Sequence, residues 1–335
     1  MTSKDYDMKY VLVTHDNDLG LYSDLAKVNG VHAYYLDGYH GTSVKDMLCR
    51  IHTSLLINSY MDLPSKGIHF HALFDYAEDN TCYIFTHIAS AKIGKNILYK
   101  LQHAGKNIKF VLLLVDSFNA HSPTLFRAWR AVKNVKWDYI LSYDIADCQK
   151  YGFTYLGHAY YSKQEDIEPS KIACDIYFVG ANRSGDSRYE LVSAIFKYLR
   201  TKQVNVRFIV VDKFQAHISD DEEHLIYHQE YIPYDEVLSD VLSSNCILEV
   251  LQSGQQQQTL RYFEAVCYNK KLLTNNPHVA DLPFYDARYM RYFSNPEDID
   301  VEWVMKKEKI DYHYAGEFSS ARIIDKLNEL LACKG

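Results

Sequence analysis

The chain has 335 residues, enough for two ordinary domains, and 47% hydrophobic with 24% charged residues supplies a core for each half. Its 36 basic and 43 acidic residues give a formal charge of -7, a balance that argues against a protein tracking along nucleic acid. The seven cysteines are scattered and form no CxxC pair, so neither a disulfide framework nor a structural zinc site is expected. No apolar stretch follows the charges of the opening MTSKDYDMKY, and the run at 110–115 is too short to span a bilayer. The expectation is a soluble, cytoplasmic protein, with peripheral contact at the inner face of the cytoplasmic membrane left open.

Strand-length apolar runs alternate with segments of helical period along most of the chain. Residues 10–14 (YVLVT) read as a first buried strand, followed by an Asp-rich loop and a helix ending near Asn29-Gly30. A short strand at 32–36 leads to a helix over 43–58. A strand at 83–86 precedes a helix over 92–103, with Gly105 as its stop. FVLLLV at 110–115 is the clearest buried strand of the first half; a helix over 123–132 and a strand at 139–143 follow. Residues 151–171 have no long apolar period, which places a connection between domains there.

A second series opens with DIYFV at 175–179, a helix over 188–201 and VRFIVV at 206–211. It continues with a helix over 234–243, CILEVL at 246–251, a helix over 258–268 and KLLT at 271–274. The last helix, 321–331, carries Ile323, Ile324, Leu327, Leu330 and Leu331 at helical spacing. This alternation predicts an α/β chain with two Rossmann-like domains, parallel sheets covered by helices, facing across a cleft. The expected boundaries are 1–168, 169–320 and a C-terminal helix at 321–335 packing back near the first domain. In such sheets ligands lie beyond the carboxyl ends of the strands, which selects the loops after the strands above.

QSGQQQQTLRYFE at 252–264 follows CILEVL and runs into a helix. Gly254 permits a close turn. Gln258 and Thr259 then occupy a helix N-terminus, whose free N–H groups and dipole attract phosphate. Arg261 can reach the same anion, and Glu264, little more than a turn beyond Thr259, can accept from a pair of ribose hydroxyls. On spacing alone, a helix cap at Thr259 with solvated Arg261 and Glu264 fits equally well. GANRSGDSR at 180–188 is a second strand-to-helix loop, with Gly180, Asn182, Arg183 and Arg188 as anion-binding candidates. It matches neither a Walker motif nor GxGxxG, and an ordinary connection with surface arginines stays open. In the first half His15 and Asp116 stand at strand ends and are the catalytic candidates for taking an acceptor proton. His15 is also readable as a satisfied polar residue.

Metal signals are thin. His69-Phe-His71 would share one side of a strand, and the DIAD at 144–147 could hold a cation or simply cap a helix. HExxH and GxSxG are absent.

The stretch IPYDEVLSDVLSSNCILEVLQSGQQQQTLRYFEAVCYNKKLLTNN (232–276) resembles the donor-side half of glycosyltransferases from bacterial capsule and lipopolysaccharide clusters. Those proteins are similar to GT-B transferases, which pair two Rossmann-like domains. The shared pattern runs PY-x-E, S-x-C-I-L-D/E, Q-x-G/Q-Q, T-x-R-x-x-E and KKLIT-x-N. VDS at 115–117, WDYILSYDIADCQKYGFTYLGHAYY at 137–161 and DIYFVG-x-N-R at the start of the second domain agree with it. This chain has Gln257-Gln258 where the family often reads Gly-Leu, and lacks the proline of its LPLFY segment. The resemblance implies that Gly180, Arg183, Gln258, Thr259, Arg261 and Glu264 face the nucleotide and diphosphate of a sugar donor, and it favours Asp116 as an active-site residue. It implies no metal and no cofactor, the nucleotide-sugar being a substrate and the acceptor a glycan or lipid-linked oligosaccharide. Two rivals keep the same architecture: transfer of a pyruvyl-type group to a polysaccharide, and a non-catalytic nucleotide-sugar-binding protein.

Overall fold

The computed structural model describes residues 8–15, 19–36, 41–63, 66–114, 123–158, 161–181, 188–211, 225–228, 232–251 and 258–332. The chain divides into two compact units, one formed by Met1–Ser162 with Glu317–Gly335, the other by Lys163–Gly316.

The first unit begins with β1 (Lys9–His15), α1 (Leu19–Ala26), β2 (Val31–Leu36), α2 (Val44–His52), α3 (Leu55–Tyr60) and α4 (Gly67–Phe70). It continues with β3 (Thr81–Thr86), α5 (His87–Ile93), α6 (Lys95–Gln102), β4 (Lys109–Leu114), α7 (Pro123–Val132), β5 (Tyr139–Ser142), α8 (Ile145–Tyr151) and β6 (Thr154–Tyr155). The strands form one parallel sheet in the order β2-β1-β3-β4-β5-β6. All six residues of β3 are buried, as a central strand covered on both faces requires. On one face Phe85, Phe110 and Trp137 pack ring to ring, with Phe85 and Phe110 centroids 4.9 Å apart.

Three readings of this half need correction. The helix expected over 43–58 is two helices. Thr53 closes α2 through its hydroxyl to the Cys49 carbonyl, and Ser54 caps α3 by accepting from the Ile57 N–H. The helix expected over 92–103 is likewise two and starts earlier, at His87. It breaks at Gly94, whose φ of +86° is open to glycine, and a Cβ there would lie 2.6 Å from Lys66 Nζ. His69 and His71 do not share a strand: His69 lies in α4, and its Nε2 sits 3.0 Å from His52 Nδ1. At the DIAD segment, Asp144 caps α8 by accepting from the N–H groups of Ala146 and Asp147.

The second unit runs through β7 (Cys174–Ala181), α9 (Arg188–Thr201), β8 (Val206–Val211), β9 (Leu225–His228), α10 (Tyr234–Ser243), β10 (Ser244–Glu249), α11 (Leu260–Cys267), β11 (Lys271–Thr274), β12 (Met290–Tyr292) and α12 (Val301–Met305). Its parallel sheet has the order β12-β11-β10-β7-β8-β9. Side chains alternate across it. Ile176, Phe178, Phe208, Cys246 and Leu248 join the cluster that includes Ile195, Phe196 and Trp303, which leaves Tyr177, Arg207 and Glu249 on the opposite face. The strands β9 and β12 and the short α12 go beyond the sequence reading.

The last helix, α13 (Arg322–Ala332), belongs to the first unit. Its Ile323 and Leu327 are buried, Asn328 accepts from the Tyr10 hydroxyl, and the Leu330 carbonyl accepts from the Tyr139 hydroxyl. Among the described residues, no helix is long and apolar enough to cross a membrane.

Candidate functional site

Each sheet contains one place where chain order reverses, the position beside which open α/β sheets generally bind their ligands. In the second sheet it lies between β7 and β10, since β8 and β9 extend to one side and β11 and β12 to the other. Both donor-binding segments read from the sequence start at this point, one following β7 and the other following β10.

At the end of β7, Gly180 sits where a Cβ would come within 2.8 Å of the Phe178 ring and 3.5 Å of the Arg188 guanidinium carbon. Arg188, the first residue of α9, turns its guanidinium back onto the Ala181 carbonyl. Gly180 and Arg188 are thus brought together. Asn182 and Arg183 lie outside the described residues, as does Asp116 in the first unit.

At the end of β10 the feature that organises the site is Glu249, a carboxylate absent from the sequence candidates. It is 1% exposed. One oxygen accepts from the Thr259 N–H at 2.9 Å and the Thr259 hydroxyl at 2.7 Å, and the other accepts from the Thr274 hydroxyl at 2.6 Å. Thr274 Oγ1 in turn accepts from the Asn276 N–H. Thr259 is the N-cap of α11, and its hydroxyl also accepts from the Arg261 N–H at 3.2 Å. A buried anion therefore ties the start of α11 to the ends of β10 and β11. Burial pushes the Glu249 carboxyl above its ordinary value, while the Thr274 and Thr259 hydrogen bonds and Arg261 pull the other way.

Glu264 is fully buried one turn along α11. Its Oε1 accepts from the Tyr234 hydroxyl at 2.9 Å, and its Oε2 lies 2.7 Å from Arg261 Nη1, an ion pair by distance without hydrogen-bond alignment. Burial lifts this carboxyl to about 7, against Arg261 and Tyr234. Gln258 is buried beside Thr259. Tyr177 reaches the same face from β7; its ring is buried and its hydroxyl has no hydrogen-bond partner among the described residues. The structure thus gathers Gln258, Thr259, Arg261 and Glu264 on one helix start and adds Glu249, Tyr234 and Thr274. The one sequence signal for Glu249 was a carboxylate inside an otherwise apolar strand.

In the first sheet the reversal falls between β1 and β3. His15 is the last residue of β1, half-buried at that edge. Thr14 and Thr86, at the carboxyl ends of the two strands, are fully buried, and their hydroxyls have no hydrogen-bond partner among the described residues.

No protein-family model matches the chain, and no curated protein sequence does. Among solved structures it is similar to S. aureus MnaA in a co-structure with UDP, at 10% identity over 97% of each chain with a TM-score of 0.51. It is also similar to the lipopolysaccharide outer core galactosyltransferase WaaB in its apo form, at 11% identity over 98% of this chain and 100% of that one, with a TM-score of 0.50. These likenesses span both units and establish the fold as two Rossmann-like domains of the GT-B type.

Proposed function

We propose that the chain is a glycosyltransferase that moves a sugar from a nucleotide-sugar donor to a hydroxyl of a bacterial surface polysaccharide or lipid-linked glycan. One observation carries this reading: β7 and β10, whose sequence continues into 180–188 and 252–264, are neighbours at the reversal of the sheet, and α11 starts on its cap Thr259 and carries Arg261 and Glu264. The UDP seen with MnaA and the galactosyl transfer named for WaaB, on the same fold, support it.

In this reading the donor diphosphate lies over the N-terminus of α11. Arg261 faces the charge that grows on the leaving diphosphate, assisted by Arg183 and Arg188. Gly180 keeps the β7 end open to that approach, and Gln258 and Asn182 donate to the nucleotide. Glu264 fixes Arg261 and Tyr234, and a ribose hydroxyl pair reaches its carboxylate by displacing one of them. His15 or Asp116 takes the proton of the acceptor hydroxyl.

The test is thermal stabilisation by UDP, GDP, CMP, dTDP and their sugar conjugates, with Thr259→Ala and Arg261→Ala alongside. One nucleotide at a hundredfold excess over its Kd should stabilise the wild type by ~2.7 kcal/mol and both variants by less. Absence of any nucleotide response, with stabilisation by phosphoenolpyruvate instead, would replace sugar transfer with pyruvyl-type transfer. Nucleotide binding without turnover of any donor would leave a binding protein.

A further inference from the structure

The helix α2 is amphipathic in the inverted sense. Val44, Met47, Leu48 and Ile51 recur at i, i+3, i+4 and i+7, the spacing of a buried stripe, yet all four are exposed, Val44 by 71%. The side chains α2 buries are Cys49 and His52. The apolar surface continues onto α3 and the residue after it, where Leu56, Tyr60 and Met61 are exposed, Tyr60 by 70%. It continues again onto α7, which lies against α3: Arg130 stands 4.4 Å over the Tyr60 ring, and Phe126, one turn before it, is exposed. Exposed apolar side chains grouped on three neighbouring helices differ from the singly scattered ones of an ordinary surface.

Charge selects the occupant. The three helices carry Lys45, Arg50, Arg127 and Arg130 against a single carboxylate, Asp46, in a chain whose net charge is -7. That carboxylate is already engaged, accepting from the Ser43 N–H and hydroxyl in the capping box of α2. A second copy meeting this face through its own counterpart would set the same cations against each other. An anionic lipid surface does the opposite. It buries the apolar stripe at the acyl boundary and pairs the flanking lysine and arginines with headgroups, while Tyr60 with Arg130 suits the boundary itself.

We propose that the face formed by α2, α3 and α7 docks the protein onto an anionic lipid bilayer. The residues of this surface belong to the first unit and those proposed for the donor to the second, so vesicle binding and nucleotide binding are read out independently.

The test is co-sedimentation of the full chain with vesicles of phosphatidylglycerol and phosphatidylcholine in equal parts, against vesicles of phosphatidylcholine alone. The wild type should bind the anionic vesicles, far less the neutral ones, and should release as salt is added. The double variant Arg127→Glu/Arg130→Glu should lose roughly twentyfold or more in partition, since each basic residue near such a surface is worth roughly fivefold. Met47→Asn/Ile51→Asn should lose binding at unchanged net charge. Every substituted side chain lies on exposed helix surface, and an unchanged unfolding midpoint checks that the variants fold. No binding to anionic vesicles, or binding that either variant leaves intact, would overturn the proposal. A dimer in sedimentation equilibrium that Met47→Asn/Ile51→Asn dissolves, with no vesicle binding, would assign the face to a second copy instead.

Discussion

Removing the Glu249 carboxylate should loosen the start of α11 more than any other single change at the site. Glu249→Ala strips the acceptor from three donors: the Thr259 N–H, the Thr259 hydroxyl and the Thr274 hydroxyl, at 2.9, 2.7 and 2.6 Å. A buried donor left unsatisfied costs roughly 1–3 kcal/mol. The two hydroxyls can rotate towards other acceptors, whereas the amide is fixed by the backbone, so the lower end of each range applies to them. The variant also escapes the burial cost that pushes the carboxyl above its ordinary value. The net expectation is a loss of about 3 kcal/mol. Glu249→Gln keeps an acceptor oxygen for Thr259 and should lose about 1 kcal/mol or less. Urea unfolding of the three proteins gives the differences, and hydrogen exchange of the segment 258–268 locates them, with the Thr259 and Arg261 amides exchanging faster in the alanine variant. If Glu249→Ala costs no more than Glu249→Gln, or leaves those amides protected, the carboxylate is not what holds α11.

Three further expectations concern buried titratable groups. Burial lifts Glu264 to about 7 from 4.5, so the native state keeps a proton that the unfolded chain releases, and stability falls as pH rises between those values. Glu264→Gln should therefore gain about 3 kcal/mol on the wild type across that window in urea melts; a variant that instead loses ground as pH rises would show Arg261 holding an ionised carboxylate. His87, fully buried at the start of α5, is lowered by burial to about 4 from 6.5, so native stability falls as pH drops through that range. His87→Gln should flatten the acid limb of the melting-temperature profile, and parallel profiles would rule the histidine out as its cause. The ion pair of Lys66 with Asp62 is 2.5 Å long, with side chains 1% and 3% exposed. Lys66→Met should cost about 3–5 kcal/mol by stranding Asp62, and adding Asp62→Asn should recover most of it; a double variant as unstable as the single one would refute that account.

The alternation of strand and helix was plain in the sequence because both sheets are parallel and covered on both faces, so their strands are continuous apolar runs such as FVLLLV and VRFIVV. Helix breaks were harder to see. Thr53-Ser54 and Gly94 interrupt segments whose apolar period runs on, and the breaks are set by side-chain caps and by the room that Lys66 and Asp62 occupy beside Gly94. What was legible of the candidate site was its position in the chain, the passage from β10 through 258–259 into α11. Its wiring was not. Whether Thr259 offers its hydroxyl to solvent or to a carboxylate is decided by Glu249 and Thr274, which stand 10 and 15 residues away in sequence and meet it through strand register. Likewise, Tyr234 reaches Glu264 from another helix. The inverted stripe of α2 illustrates the same limit: periodicity finds a helical apolar face without saying which side of it meets the protein.

The first unit is discontinuous in sequence, closed by a segment that begins at Glu317 after the whole of the second has intervened. Ser320 Oγ accepts from the Leu25 N–H and contacts the Ser162 hydroxyl at 2.7 Å, and Tyr10 of β1 completes its hydrogen bonding only on Asn328. A ribosome therefore makes the unit that starts first but can be finished last. Lys163–Gly316 has all its strands and helices in hand while the opening sheet still waits for its final helix. Arrest of synthesis before residue 317 would leave a nascent chain with one completed unit and, ahead of it, an older one whose β1 face lacks its cover.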